Sequence, residues 1–326
     1  MKLIDAHGRA ISYLRLSVTD RCNLRCSYCM PADGVAKASH DDILRFEELL
    51  QITEIAVSLG IEKVRVTGGE PLVRRGVVPF LARIAAIPGL NFLVLTTNGI
   101  LLEGLAADLA AAGVQRLNVS LDSLRPETFS AITRGGDVTA VLRGLDAAER
   151  AGLPPPKLNV VVMKGVNDDE ILDFTALARE RGCTVRFIEY MPTSRAEGWQ
   201  NHFVPGEEIY RRITARYDLE PITGGQGAGP ARLYRFTDAP GGIGIISAVS
   251  GHFCASCNRI RVTARGVARS CLFADNALDL KPLLREGTRS DVEAALRSFV
   301  RAKPGHHLMT PDGAHHKPFA MSGIGG

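Results

Sequence analysis

Short apolar runs alternate with longer amphipathic segments along the first 192 residues of the chain. The runs are rich in Val, Ile and Leu and do not alternate strictly with polar residues, which is typical of parallel strands covered on both faces. This pattern predicts six strands, at residues 13–18, 63–67, 91–96, 116–120, 157–162 and 184–189.

The segments between these runs carry apolar residues at helical spacing, and a glycine follows each of them where a helix would end. The spacing predicts helices at residues 46–59, 101–112, 138–151 and 168–181. Strands that alternate with helices at this distance form parallel βαβ units. About six such units predict an α/β fold, an incomplete (β/α)6 barrel of the TIM type.

The pattern changes in the last third of the chain. Residues 193–240 show no clear periodicity, and the glycine-rich segment 224–230 is typical of a flexible loop. Residues 243–249 predict a strand, and 259–263 with 267–272 predict a hairpin.

We therefore expect two domains, 1–192 and 193–326. The second ends in a tail that we expect to be solvated, although it contains four histidines, His306, His307, His315 and His316.

The amino-acid composition and net charge exclude few classes of function. A hydrophobic fraction of 45% and a charged fraction of 23% are ordinary for a globular protein. A net charge of +4 predicts no nucleic-acid or membrane surface, but it suits an anionic substrate. The N-terminus lacks a signal-peptide pattern, and no apolar stretch is long enough to span a bilayer, so we expect a cytoplasmic protein.

The seven cysteines carry more information, because they fall in groups of three, one and three. An odd count in a chain without a secretion signal argues against a disulfide framework. Cys183 lies in an apolar run, and we interpret it as a small buried hydrophobic residue. The two groups of three are candidates for metal binding.

The predicted strands end in residues that can build a site. In parallel α/β folds the chemistry lies at the carboxyl ends of the strands. A single such end is typical of an ordinary turn, but five of them beside a cysteine group favour a site. The five segments are GGEP at 68–71, TTNG at 96–99, SLD at 120–122, KG at 164–165 and EYMP at 189–192.

The first cysteine group, Cys22, Cys26 and Cys29, follows the first predicted strand. Three thiolates at this spacing can bind three corners of one iron–sulfur cubane and leave the fourth iron open. A zinc site completed by a distant histidine is the alternative. Residues 22–29, CNLRCSYC, resemble the defining motif of the radical S-adenosyl-L-methionine (SAM) superfamily.

That resemblance implies that the open iron chelates SAM and that an electron from the cluster cleaves SAM to a 5′-deoxyadenosyl radical. It also implies that the GGEP segment binds the amino group of SAM.

The second cysteine group is Cys254, Cys257 and Cys271. It indicates a second cluster with its own open iron, although a CxxC pair with a distant cysteine is also common at zinc sites. His252 is close in sequence, but we interpret it as a bystander.

With these two cysteine groups, the sequence resembles the GTP 3′,8-cyclase family over nearly its whole length. The matching segments are 19–23, 65–72, 95–99, 118–122, 186–191 and the terminal Gly325-Gly326. The resemblance implies two 4Fe-4S clusters, with guanine bound at the second. It also implies abstraction of hydrogen from C3′ of GTP and attack of the carbon radical on C8. The product would be (8S)-3′,8-cyclo-7,8-dihydroguanosine 5′-triphosphate, the first intermediate of molybdenum cofactor biosynthesis, and the enzyme a lyase.

The resemblance also implies roles for individual residues. The expected SAM contacts are Tyr28, Gly69, Ser120 and Met191. The expected GTP contacts are Arg15, Arg65, Thr96, Lys157, Arg259, Ile260 and Arg261. Gly325 and Gly326 are expected to reach into the active site and act in catalysis. The proline run at 154–156 is a departure from the family pattern that puts the direction of Lys157 in question.

The implied partners are an external electron donor and a cyclic pyranopterin monophosphate synthase that takes the product; a homodimer is compatible with the resemblance. A radical SAM peptide maturase with an auxiliary cluster is a rival hypothesis, and a non-enzymatic electron-transfer or zinc protein is another. Maturases usually carry more C-terminal cysteines than the three in this chain. Electron carriers ligate their clusters fully with cysteine.

Overall fold

The computed structural model describes residues 2–35, 39, 41–191, 198–223, 229–307, 309 and 321. Within them the strands are β1 Tyr13–Ser17, β2 Lys63–Thr67, β3 Phe92–Thr97, β4 Arg116–Ser120, β5 Lys157–Val162, β6 Thr184–Glu189, β7 Leu219–Ile222, β8 Arg232–Phe236, β9 Gly242–Ile246, β10 Arg259–Val262, β11 Val267–Arg269 and β12 Ala277–Asp279. The helices are α1 Phe46–Ser58, α2 Val77–Ala85, α3 Ala106–Ala111, α4 Pro126–Thr133, α5 Val138–Arg150, α6 Ile171–Arg181, α7 Gly206–Thr214, α8 Lys281–Glu286 and α9 Arg289–Arg301.

All twelve of these strands form one sheet, in the order β12-β11-β10-β1-β2-β3-β4-β5-β6-β9-β8-β7. The eight strands from β10 to β9 in this order run parallel, and the strands outside them pair antiparallel. Among the described residues no pairing joins the two edge strands, so the barrel is incomplete, as the sequence predicts. Two of the eight parallel strands, β9 and β10, come from the region after residue 193.

The parallel strands bury both faces, but the two faces differ in chemistry. One face packs its Val, Ile and Leu side chains against the helices and forms the main apolar core. The opposite face points into the barrel and carries polar residues in register: Arg15 pairs with Arg65 on one side and with Arg261 on the other. Because uncompensated polar groups are costly to bury, this polar interior marks the position of the site.

The predicted strands are confirmed, four of them with identical bounds (β2, β4, β5 and β6). The predicted helix at 101–112 is wrong in its first half, because residues 101–105 form turns and α3 begins at Ala106. Residues 193–240, where the sequence shows no clear periodicity, contain α7, β7 and β8. The strands β7 and β8 are mostly exposed, so they carry too few buried positions to give a periodic pattern. None of the described helices is both long and apolar enough to cross a membrane.

Candidate active site

A large cavity opens at the carboxyl ends of the parallel strands. The cavity has a volume of about 300 Å³, which falls within the roughly 300–1000 Å³ of a pocket for a small ligand. Both cysteine groups lie in its wall, together with residues from each of the strands β1 to β6. The two sets of thiols therefore face one shared cavity.

The first cysteine group lies on the loop that follows β1. The side-chain amide of Asn98 donates a hydrogen bond to Cys22 Sγ at 3.8 Å. Burial raises the pKa of Cys26 and Cys29, the latter to about 12, and the neighbouring thiols and Asp122 add to the effect. As free thiolates these groups would be destabilised by burial and mutual repulsion, whereas a cationic iron cluster would stabilise them. The donor set thus fits a cluster.

The loop after β2 is tied to the end of β3 by the buried carboxylate of Glu70. It accepts hydrogen bonds from Leu72 N–H at 3.0 Å, the Thr97 hydroxyl at 2.8 Å and Asn98 N–H at 2.7 Å. Burial raises the pKa of Glu70 to about 7 against the effect of these donors. Only the glycines of residues 68–70 line the cavity. The chain can therefore present the peptide groups of this loop, rather than the Glu70 carboxylate, to a ligand.

The four residues expected to contact SAM all line this cavity: Tyr28, Gly69, Ser120 and Met191. The Tyr28 hydroxyl donates to Asp122 Oδ2 at 2.7 Å, and Val161 N–H donates to the other carboxylate oxygen at 2.9 Å. Burial raises the pKa of Asp122 to about 6. Asp122 therefore fixes the ring of Tyr28 beside the first cysteine group.

The second cysteine group lies across the cavity, where Cys254 and Cys257 precede the first residue of β10 and Cys271 follows the last residue of β11. Burial acts to raise the pKa of Cys257, but Arg259 and Lys303 outweigh it and lower this pKa to about 7. The ammonium group of Lys303 is buried and also donates to the carbonyl oxygens of Arg259, at 3.0 Å, and Ser270. These cations stabilise a thiolate at Cys257, the form that ligates metal.

A basic wall joins the two cysteine groups. Five of the residues expected to bind GTP line it: Arg15, Arg65, Thr96, Arg259 and Arg261. Burial lowers the pKa of Arg65 and Arg261, and neighbouring guanidinium groups add to the effect. Arginine keeps its charge at neutral pH even so. Such a concentration of buried cations is unfavourable alone and favours a multiply charged anion.

The wall also holds buried polar atoms that have no hydrogen-bond partner among the described residues. They include Arg65 Nε, Thr96 Oγ1 and Asn159 Oδ1. Unsatisfied buried groups are rare in native proteins and call for a ligand or ordered water. Donors and acceptors are both present, so the group that satisfies them carries both as well, as a nucleotide does.

Lys157 and Ile260 do not line the cavity directly. Lys157 begins β5 opposite Asn118, so the proline run does not disturb its register. Burial, with Arg186 and Arg116 nearby, lowers the pKa of Lys157 to about 8. Ile260 is 1% exposed and packs in the apolar core, so only its peptide group can serve a ligand. Gly325 and Gly326 lie outside the described residues.

Several residues of the site were not predicted. Asn118, Asn159 and Arg186, on the interior face of the barrel, have a signal in the sequence, because each lies two residues after the polar residue that begins its strand. Lys303 and His307 have none, since they approach the second cysteine group from the end of the chain. The expectation of a solvated histidine tail is wrong for His307, which is 6% exposed because Phe273 and His252 pack on its ring.

Comparison with known proteins adds to this geometry. The model of the radical SAM superfamily matches residues 16–178, and the model described as Molybdenum Cofactor Synthesis C matches residues 183–309. The chain is 60% identical over 326 residues to a GTP 3′,8-cyclase of Geobacter sulfurreducens, covering 100% of both chains. It is 48% identical over 323 residues to a GTP 3′,8-cyclase of Moorella thermoacetica, covering 99% of both.

Among solved structures, the fold is similar to that of Streptococcus suis SuiB bound to S-adenosylmethionine. The TM-score is 0.64 at 13% identity, and the match covers 91% of this chain and 69% of that one. At this identity the likeness concerns the fold alone.

Proposed function

The chain belongs to the GTP 3′,8-cyclase family of the radical SAM superfamily, and we propose that its cavity performs that family's reaction. GTP is converted to (8S)-3′,8-cyclo-7,8-dihydroguanosine 5′-triphosphate, the first step of molybdenum cofactor biosynthesis. The observation that carries this function is the presence of two incomplete cysteine sets on one cavity, joined by a wall of buried cations.

The first cysteine group fits a 4Fe-4S cluster with one open iron for SAM. When bound, the cluster supplies the electron that cleaves SAM to a 5′-deoxyadenosyl radical. The residues of this chain hold SAM in place: Tyr28 and Met191 provide apolar contact, Gly69 and Ser120 provide polar groups, and Asp122 orients Tyr28.

The second group, Cys254, Cys257 and Cys271, fits a second 4Fe-4S cluster that leaves one iron for the guanine base. The basic wall then receives the triphosphate, with Arg15, Arg65, Arg259 and Arg261 as direct contacts. Lys157 adds positive charge close to Arg65. Cations fixed in a rigid sheet bind phosphate oxygens without reorganisation, so the ribose is held between the base and the triphosphate.

Shielding of the radical follows from the apolar part of the cavity wall. Leu24, Met30, Ile188, Phe253 and Phe273 lie around the space between the two cysteine groups. Excluding water and other hydrogen donors favours abstraction from the bound ribose. We propose that Gly325 and Gly326 complete this enclosure, as the family resemblance implies.

The remaining expectations follow from the same proposal. Reductive cleavage of SAM consumes an electron that the chain does not provide, so an external donor is required. A cyclic pyranopterin monophosphate synthase would take the product, and the reaction would occur in the cytoplasm. The homodimer stays a prediction. The division into 1–192, with the first cluster, and 193–326, with the second, is part of the proposal.

The test is anaerobic turnover with SAM, GTP and a reductant, measuring 5′-deoxyadenosine and the cyclised nucleotide together. Cys22→Ala should abolish both products. Cys254→Ala should keep slow SAM cleavage and lose the cyclised nucleotide, because SAM and the substrate occupy different ends of the cavity. Cys183→Ala is the matched control, since Cys183 is buried in the core away from the cavity and should keep both activities.

Two results would contradict the proposal. One is normal 5′-deoxyadenosine formation by Cys22→Ala, and the other is zinc in place of iron at the second group in fully active enzyme. A precursor peptide modified in place of GTP would favour the maturase hypothesis.

A further inference from the structure

His307 lies in the cavity wall beside the second cysteine group. Its peptide N–H donates a hydrogen bond to Cys254 Sγ. The preceding segment is held by Arg9, whose guanidinium donates to the carbonyl oxygens of Cys254 at 2.7 Å, Pro304 at 2.6 Å and Gly305 at 2.9 Å. Three parts of the chain therefore meet at this position.

The protonation of the His307 ring follows from its neighbours. The peptide N–H of Met309 donates to Nδ1 at 3.3 Å, so Nδ1 carries no proton. A neutral imidazole has one N–H group, which must then be on Nε2. Nε2 is buried and has no hydrogen-bond partner among the described residues. A buried donor without an acceptor is unfavourable, so the cavity is expected to supply an acceptor.

The nearest groups indicate what that acceptor is. Ligand atoms of His252, Cys254 and His307 lie within 4.8 Å of one another, an arrangement that could also hold zinc. Metal binding needs a lone pair, however, and the nitrogen of His307 that is not engaged carries a proton instead. The ring therefore acts as a donor beside the cysteine sulfur. The side chain of Lys303 likewise donates a hydrogen bond to the sulfur of Cys257 in the same cysteine group.

We propose that His307 Nε2–H donates a hydrogen bond to a sulfur atom of the second cluster and so raises its reduction potential. A hydrogen bond to sulfur stabilises the reduced, more negative cluster more than the oxidised one. The inference rests on the proposed function, because it requires a cluster at this cysteine group. It makes His307 a positioning residue that tunes the cluster rather than a catalytic residue.

The test measures the midpoint potential of the second cluster alone. The reference protein carries serine at the three cysteines of the first group, so that its EPR signal comes from the second cluster. The signal is followed in an anaerobic redox titration. His307→Phe keeps an aromatic ring of similar size and removes the donor, and we expect it to lower the potential.

The controls separate the hydrogen bond from general damage. His306→Gln alters the exposed neighbouring histidine and should leave the potential unchanged. His307→Met is a second donor-free variant and decides the question by the same comparison if His307→Phe fails to assemble the cluster. Iron content of each sample shows whether the cluster is present.

An unchanged potential in the donor-free variants would overturn the proposal. So would a potential difference that appears only when GTP is added, because the acceptor would then be the substrate. Failure of the proposed function looks different: the reference protein itself would contain zinc, or no iron, at the second group.

Discussion

Replacing Gly69 by alanine tests whether the two loops around the first cluster must touch backbone to backbone. Gly69 N–H donates to the Thr19 carbonyl at 2.7 Å, and Glu70 N–H donates to the Arg21 carbonyl at 2.8 Å. These bonds join the loop after β2 to the loop that carries Cys22. A Cβ on Gly69 would lie 2.3 Å from the carbonyl oxygen of Arg21.

The size of the effect can be worked out from this contact. Real Cβ atoms essentially never approach closer than 3.0 Å, so the two backbones would have to separate by about 0.7 Å. Both loops are backbone, so no flexible side chain can absorb the change. Overpacking of this kind lowers the free energy of unfolding by about 1–3 kcal/mol. A displacement of nearly 1 Å between SAM and the cluster loop should reduce SAM cleavage roughly 10²-fold.

The assay is 5′-deoxyadenosine formation under reducing, anaerobic conditions, with urea unfolding measured on the same samples. Gly104→Ala is the matched control, because nothing lies within 4 Å of an added Cβ there. We expect Gly104→Ala to behave as the unmodified chain. Normal SAM cleavage by Gly69→Ala, or an equal loss in Gly104→Ala, would refute the reasoning.

Three further predictions follow from the same structure. Lys157→Ala should weaken GTP binding in calorimetry without slowing SAM cleavage, whereas Lys164→Ala, which alters an exposed lysine, should leave GTP binding unchanged. Because the pKa of Lys157 is about 8, GTP affinity should fall as the pH rises through 8, and this fall should be smaller in Lys157→Ala. Glu189→Gln should lower the free energy of unfolding in urea by about 1–3 kcal/mol, because the buried Glu189 carboxylate accepts hydrogen bonds from the peptide N–H groups of Gly206, Val249 and Ser250. Glu220→Gln, which alters an exposed carboxylate, should leave the free energy of unfolding unchanged. Deleting 325–326 should preserve SAM cleavage and abolish the cyclised nucleotide, and wild-type yields would show those residues to be dispensable.

The barrel strands could be predicted because burial on both faces leaves a plain signal. In β2 every residue is buried, and its apolar positions face the helices while Lys63 and Arg65 face the interior. The same two-residue period would have added Asn118 and Asn159 to the predicted site. The join of β9 and β10 to the barrel could not be predicted, because sequence periodicity carries no information on which distant strands pair.

The cysteine ligands were predictable from spacing, but their surroundings were not. Arg9 and His307 meet at Cys254 although nearly the whole chain separates them. Hydrogen bonds of this kind depend on tertiary packing and leave no local pattern. The family resemblance implies that the GGEP segment binds SAM, but it does not show that the Glu70 carboxylate bonds to the loop while the adjacent glycines line the cavity.

The central claim is that one cavity couples SAM cleavage to hydrogen abstraction from the ribose of GTP. The most direct measurement is mass analysis of 5′-deoxyadenosine after anaerobic turnover with GTP deuterated at C3′. We expect 5′-deoxyadenosine to gain the deuterium and the cyclised nucleotide to form in equal amount. Unlabelled 5′-deoxyadenosine, formed at the same rate with and without GTP, would contradict it.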